Sequence, residues 1–279
     1  MNVKSVRDYF RLVLKKAYGL LLPFYIWQTI IGLFRITLSF IGHQDYIEQI
    51  RIQFFNILQL TGSALWFLPS MFFAYVVFFL TYKYLFLSVG LASVLLAISV
   101  FLPHQSTIVE SMLHIIPAYV FIVVGYYCTT FFKNYSTLVI VVISLLFLLL
   151  SYLNGGISIA GRKYGNSIIL YLINSCTGTY VLLWTSRKLV ARKSIIIRFL
   201  IYLGQNTIIV LCLHQMVLDL LMLVDYKCFQ IFDKLPVIIE ALLLTVLIVS
   251  IITPIIMPLK RYFWWALGIK KCNKLNNCG

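Results

Sequence analysis

Acidic side chains are scarce in this sequence: 8 Asp and Glu stand against 23 Lys and Arg in 279 residues. Charged residues of both signs make up 11% of the chain, where a soluble domain carries roughly 25%. With 62% of residues hydrophobic, so little charge excludes a fold wrapped in water. The six cysteines include no CxxC pair, which leaves a zinc or redox motif and a disulfide framework without support. Cys278 is next to last, so the C-terminus is not a prenylation box. No phosphate-binding glycine loop, GxSxG, HExxH or paired-carboxylate motif occurs, and no metal site is expected. Charged rings that would line a pore are missing, as are the matched halves of a transporter. The first sixteen residues are polar and basic, with no short apolar core before a small-residue cleavage site, so no cleavable signal is expected.

What the chain does have is long apolar runs, each able to cross a hydrocarbon layer of ~30 Å as a helix. Eight spans are predicted, over about 18–41, 65–82, 84–102, 112–132, 136–153, 167–186, 199–224 and 236–258. Residues 48–60 are apolar but carry Glu48 and Arg51, and are predicted to lie amphipathically at the membrane surface. The expected fold is an all-α, polytopic transmembrane bundle forming a single domain over 1–279.

The net charge of +15 fits membrane orientation rather than nucleic acid, because the basic residues flank the spans. Seventeen fall on one side of the predicted topology, among them Lys15, Lys16, Lys83, Lys133, Arg187, Arg198 and Lys260. Five fall on the other: Arg51, Arg162, Lys163, Lys227 and Lys234. This asymmetry places both termini in the cytoplasm. Arg35 lies within the first span, about 9 Å from its outer end at helical rise.

Polar residues inside spans cost free energy unless they meet a partner or a cavity. Ser167, Tyr171, Asn174, Gly178 and Thr185 form one stripe on the sixth span. Gly204, Thr207, His214, Gln215 and Asp219 share a face of the seventh, as Tyr25, Gln28, Thr29, Gly32 and Arg35 do on the first. Such stripes either bring helices into close contact or line a polar cavity. His214, at mid-span, is a structural hydrogen-bonding group or a base. His114, one turn beyond Glu110, is solvated at the interface or part of a carboxylate–imidazole pair. Arg35 snorkels to the interface or binds an anionic group. His214 and His114 are the candidate catalytic residues, and Arg35, Trp66, Asn174 and Thr207 the candidate substrate contacts.

Five segments in order, "YGLLLPFYIW" (18–27), "LWFLPSMF" (65–72), "HIIPAYVFIVVGYY" (114–127), "YGNSIILYLINSCTGTYVLLWTSRKL" (164–189) and "IYLGQNTIIVLCLHQMVL" (201–218), resemble the integral-membrane acyltransferase family 3. The likeness is to its sugar O-acetyltransferase branch, which includes fucose 4-O-acetylase-like proteins, and covers nearly the whole chain. It implies an O-acyltransferase of the bacterial inner membrane. The donor would be acetyl-CoA or another acyl-CoA, used as substrate with no bound cofactor. The acceptor would be a hydroxyl on a surface polysaccharide or lipid-linked glycan. The family pattern opens with two further helices, the first bearing an arginine and, eleven positions on, the histidine assigned to catalysis. Eleven positions before His43, His104, His114 and His214 stand Gly32, Ser93, Pro103 and Leu203, so that pair maps to no residue here. The readings left open are a fragment or misassigned start, an inactive or divergent relative, and use of His214 or His114 instead. A non-enzymatic component of polysaccharide export or polymerisation, or a small transporter, is the alternative from another class.

Overall fold

The first helix begins at a capping box. Ser5 Oγ accepts from Asp8 N, and Ser5 N donates to the Asp8 carboxylate, both at 3.2 Å. From there α1 runs unbroken over Val6–Ile41, 36 residues. At about 1.5 Å per residue it is far longer than a hydrocarbon layer. The basic amphipathic run and the first predicted span are therefore one helix, begun twelve residues before the expected boundary. The computed structural model describes residues 5–42, 45–61, 64–101, 113–127, 137–158, 163–192, 194–225 and 236–268.

The next element, α2 (Tyr46–Leu58), is the expected amphipathic helix. Asp45 caps it, accepting from Ile47 N and Glu48 N, and Arg51 pairs with Glu48 on its exposed side. A 3₁₀ turn (Ala64–Trp66) leads into α3 (Phe67–Thr81), with Pro69 in the first turn, where its missing N–H costs nothing. Then follow α4 (Leu85–Phe101), α5 (Ile115–Tyr127), α6 (Thr137–Asn154), α7 (Ile168–Val190), α8 (Ile195–Gln205), α9 (Thr207–Val224) and α10 (Val237–Tyr262). A second 3₁₀ turn, Trp264–Leu267, closes the described chain. The extended pairing among the described residues is an isolated bridge between Ser158 and Lys163.

Among the described residues six helices are long and apolar enough to cross a membrane, and the predicted spans at 84–102 and 112–132 fall on the shorter apolar helices α4 and α5. The chain is an all-α, multi-pass membrane protein. One boundary differs in kind. The run 199–224 is two helices, because Asn206 interrupts it with φ −112° and ψ 21°. Its side-chain amide donates to Tyr202 O at 2.6 Å, and Thr207 Oγ1 donates to Gly204 O at 2.6 Å. Polar side chains that bond to nearby backbone in this way compete with helix continuation. The spanning piece is the 18-residue α9 alone, about 27 Å long. The preceding α8 exposes Ile195, Ile196 and Leu200 beside Arg198 and buries Ile197.

Two apolar clusters organise the bundle. One joins Phe24, Trp27 and Ile31 of α1 to Leu65, to Ile209, Cys212 and Val217 of α9, and to Ile252 and Ile256 of α10. Leu267 completes it from the C-terminal turn, which folds back onto α1. There Trp27 Nε1 donates to Ala266 O at 3.1 Å. Gly268 follows with φ +64°, and a Cβ on it would lie 2.5 Å from Tyr18 O, so both the left-handed backbone and the close approach require glycine. The second cluster packs Ala74, Phe78 and Phe79 of α3 against Ala92 of α4 and Tyr119, Val120 and Val123 of α5. The α6–α7 hairpin meets this cluster through Leu172 and the Phe121–Tyr171 ring contact.

Candidate functional site

The first functional feature follows from Gly32, one turn before Arg35 on α1. A Cβ there would stand 3.3 Å from Gln53 Cβ, so the glycine lets α2 approach α1 a few tenths of an ångström closer than a side chain would. Gln53 is thereby 4% exposed. Across the seam, α9 brings in Asp219, 184 residues away in sequence from Arg35. Arg35 Nε donates to Asp219 Oδ2 at 2.7 Å, and Gln215 Nε2 donates to Asp219 Oδ1 at 3.0 Å. Both carboxylate oxygens are thus engaged. The pair is about three-quarters removed from solvent, with side-chain exposures of 26% and 23%.

Arg35 and Asp219 open onto a cleft-like cavity of about 570 Å³, largely open to the outside, between α1, α2 and the end of α9. Its polar lining is Arg35, Ser39, Gln49, Gln53 and Asp219, and Leu38, Ile52 and Leu223 supply apolar wall. Gln53 Oε1 is buried and has no hydrogen-bond partner. The atom lies in the seam against Gly32, closed off from the cavity, and Asn174 Oδ1 is in the same condition between α6 and α7.

His214 lies on the same helix, five residues before Asp219, about 7.5 Å along the axis. It is the eighth of the 18 residues of α9 and so sits near mid-span. Its Nδ1 contacts Leu211 O at 2.9 Å and Val210 O at 3.2 Å. Carbonyl oxygens only accept, so Nδ1 carries the proton in the neutral ring. Nε2 then keeps its lone pair, which is the tautomer a general base requires.

The remaining candidates are scattered. His114 and Trp66 are brought together, with ring centroids 4.7 Å apart and planes tilted by 44°, at the start of α5 and α3. His114 is buried there, and Glu110 lies outside the described residues. Asn174 is buried between α7 and α6, where its amide donates to Ser151 Oγ at 2.9 Å. Four residues on, Gly178 faces Phe147 so closely that a Cβ would lie 2.6 Å from the ring. That face of α7 thus packs against α6. Thr207 sits at the α8–α9 junction, bonded to Gly204 O. Of the six candidates, Arg35 alone lines the cavity.

Sequence reasoning placed Gln215 and Asp219 on a polar face without giving either a role, and it overlooked Ser39, Gln49 and Gln53. A signal for the last two was present. They are four residues apart and hence on one face of a short helix that is otherwise largely apolar.

The sequence model of a family described as an acyltransferase domain matches residues 3–259. The chain belongs to the acyltransferase 3 family. No curated protein and no solved structure matches it. Family membership makes the chain a membrane acyltransferase and turns the weight of the comparison against an export component or a transporter. It also gives the cavity a chemical context: an acyltransferase must hold an acceptor group against an acyl donor while keeping water from competing.

Proposed function

We propose that the protein is an O-acyltransferase of the sugar-modifying branch, moving an acetyl or related acyl group from acyl-CoA to a hydroxyl of a cell-surface glycan or its precursor. The observation that carries this reading is the Arg35–Asp219 pair, braced by Gln215, lining a cavity of about 570 Å³ in a chain matched over residues 3–259 by an acyltransferase family. The charge asymmetry of the sequence supports an orientation with this cavity on the extracytoplasmic side and the basic residues Lys15, Lys16, Arg187, Lys188 and Arg198 facing the cytoplasm. Clustered cations there suit the phosphates of coenzyme A.

In this scheme the acceptor hydroxyl attacks the thioester carbonyl. His214 Nε2 takes the hydroxyl proton as the C–O bond forms, the C–S bond breaks, and the proton passes to the departing thiolate. Arg35 and Asp219, about 7.5 Å along α9 from His214 and on a different face of that helix, would hold the acceptor away from its reacting hydroxyl. The arginine–histidine pair of the family pattern is assigned to no residue of this chain. His214 carries the base role because its tautomer and its mid-span position suit it. His114 is the weaker base, being buried against the Trp66 indole.

The test is transfer from radiolabelled acetyl-CoA to total surface glycan by the full chain in lipid vesicles. Label on the glycan is expected with the native chain and is lost with His214→Ala. Transfer persisting at full rate in His214→Ala would remove this base from the scheme. No saturable binding of acetyl-CoA by the native chain would remove the donor.

A further inference from the structure

Acids and bases are divided unequally along this sequence. From Glu110 to Asp219 no other Asp or Glu occurs, yet the run 187–198 alone holds Arg187, Lys188, Arg192, Lys193 and Arg198. On the basic side of the predicted topology the sequence offers a single acid, Asp8, whose carboxylate already accepts from Ser5 N in the cap of α1. Arg187, Lys188, Arg192 and Arg198 are exposed. The ion pairs among the described residues, Arg35 with Asp219 and Arg51 with Glu48, involve none of them. Lys188 lies over the Trp184 ring at 5.7 Å, a contact that leaves its charge in place. The anions that balance this run therefore come from outside the chain.

The helix that follows supplies a second, independent feature. With 3.6 residues per turn, Ser194, Arg198 and Gln205 of the α8 segment project within about 40° of one another. Ile195, Ile196, Phe199 and Leu200 fall on a separate arc of about 140°, and all four are exposed. Ile197 is buried and Leu203 packs against the α1–α9–α10 cluster, so α8 is held to the bundle by other positions. At 11 residues it is about 16 Å long, too short to cross a bilayer, and Asn206 separates it from the spanning α9. A short helix with an uncovered apolar arc, a basic polar row and a basic run leading into it has the pattern of one lying in a membrane interface.

Two needs must be met together: hydrocarbon for the apolar arc and anionic oxygens for the cations. A soluble anion, the coenzyme included, meets the second and leaves the arc in water. A phospholipid with a net negative headgroup meets both. We propose that α8 lies in the leaflet on the basic side of the bundle, with Ile195, Ile196, Phe199 and Leu200 among the acyl chains and Arg192 and Arg198 on anionic phospholipid headgroups, flanked by Arg187 and Lys188. This anchor is independent of the acyl-transfer reading. It lies one junction, at Asn206, from the helix that bears His214 and Asp219.

The experiment uses the full chain in detergent micelles doped with equal amounts of phosphatidylglycerol and phosphatidylcholine, with retained lipid quantified after free micelles are removed. Phosphatidylglycerol is expected to exceed phosphatidylcholine by at least about tenfold, since each basic side chain near an anionic surface contributes about fivefold. The double variant Arg192→Gln, Arg198→Gln is expected to bring the two lipids near parity. Lys83→Gln removes an exposed cation from the turn between α3 and α4, and is expected to leave the excess unchanged. A measurement on the native chain stands beside the variants should they fold poorly: the excess is expected to fall steeply from low to high salt. Equal retention of the two lipids by the native chain, or an excess insensitive to salt, would overturn the proposal. So would an excess kept by the double variant, or one lowered as far by Lys83→Gln, which would spread the preference over the whole basic side. Displacement of phosphatidylglycerol by acetyl-CoA would also overturn it, assigning the cations to the donor.

Discussion

Two polar clusters inside this bundle are built from similar numbers of groups and differ in how they are finished. In α3, α4 and α5, Thr81 Oγ1 meets the Tyr119 hydroxyl at 2.9 Å, Ser88 Oγ donates to Thr81 O at 2.8 Å, and the Tyr127 hydroxyl donates to Tyr82 O at 2.6 Å. Every hydroxyl in that knot has a protein partner, and the knot ties the turn between α3 and α4 to α5. In α1, α2 and α9, the Arg35–Asp219–Gln215 chain is closed on one side and opens on the other, at Arg35 and Asp219, to a cavity. The first cluster fits a structural role, since a satisfied network rigidifies. The second presents a paired cation and carboxylate to open space, where the polar groups of a ligand can reach them. Counting polar residues in a membrane span does not distinguish the two. Asking which of them face open space does.

Substitutions break or sharpen that contrast in a graded order. The largest effect is expected from His214→Ala, which removes the proposed base and lowers acyl transfer by about 10²–10⁴-fold in a vesicle assay. Arg35→Ala follows. It leaves Asp219 without its cation beside the cavity, and transfer should fall by about 10²-fold, the loss of one charge-assisted hydrogen bond of about 1.5–3 kcal/mol and the positioning it gives. Gln215→Leu removes one of the two donors that hold Asp219 and should cost about tenfold in transfer at limiting acceptor. The control from the closed cluster is Tyr119→Phe. It should lower stability by about 1 kcal/mol, read by thermal unfolding in detergent, and leave the transfer rate unchanged. If Tyr119→Phe depressed transfer as far as Arg35→Ala, the distinction between closed and open clusters would not hold.

Much of the architecture was legible beforehand for a physical reason. An apolar run long enough to cross a bilayer has few alternatives to a helix, so α3, α4, α6, α7 and α10 fall close to their predicted places. The interfacial character of α2 was legible from Glu48 and Arg51 within an apolar segment. The split at Asn206 was not, because neither proline nor charge marks it. An asparagine in an apolar run is equally compatible with a buried polar contact, and the competing bonds to Tyr202 O and Gly204 O appear only in three dimensions. The return of Trp264–Leu267 onto α1 was hidden for the same reason, since Gly268 announces a turn but not its neighbour. At the candidate site, helical periodicity put Arg35 and Asp219 each on a polar face. It says which residues share a face and nothing about which helix that face meets. Pairing them required the packing of α1 against α9, and enclosing them the packing of α2 against α1.

The most direct measurement is the O-acyl content of the cell-surface glycan, read by NMR, in a strain deleted for this gene and complemented in turn with the native chain, Arg35→Ala and Tyr119→Phe. O-acyl resonances are predicted to vanish on deletion, to return in full with the native chain and with Tyr119→Phe, and to return only weakly with Arg35→Ala. O-acyl content unchanged by deletion, or restored as fully by Arg35→Ala as by the native chain, would contradict the account.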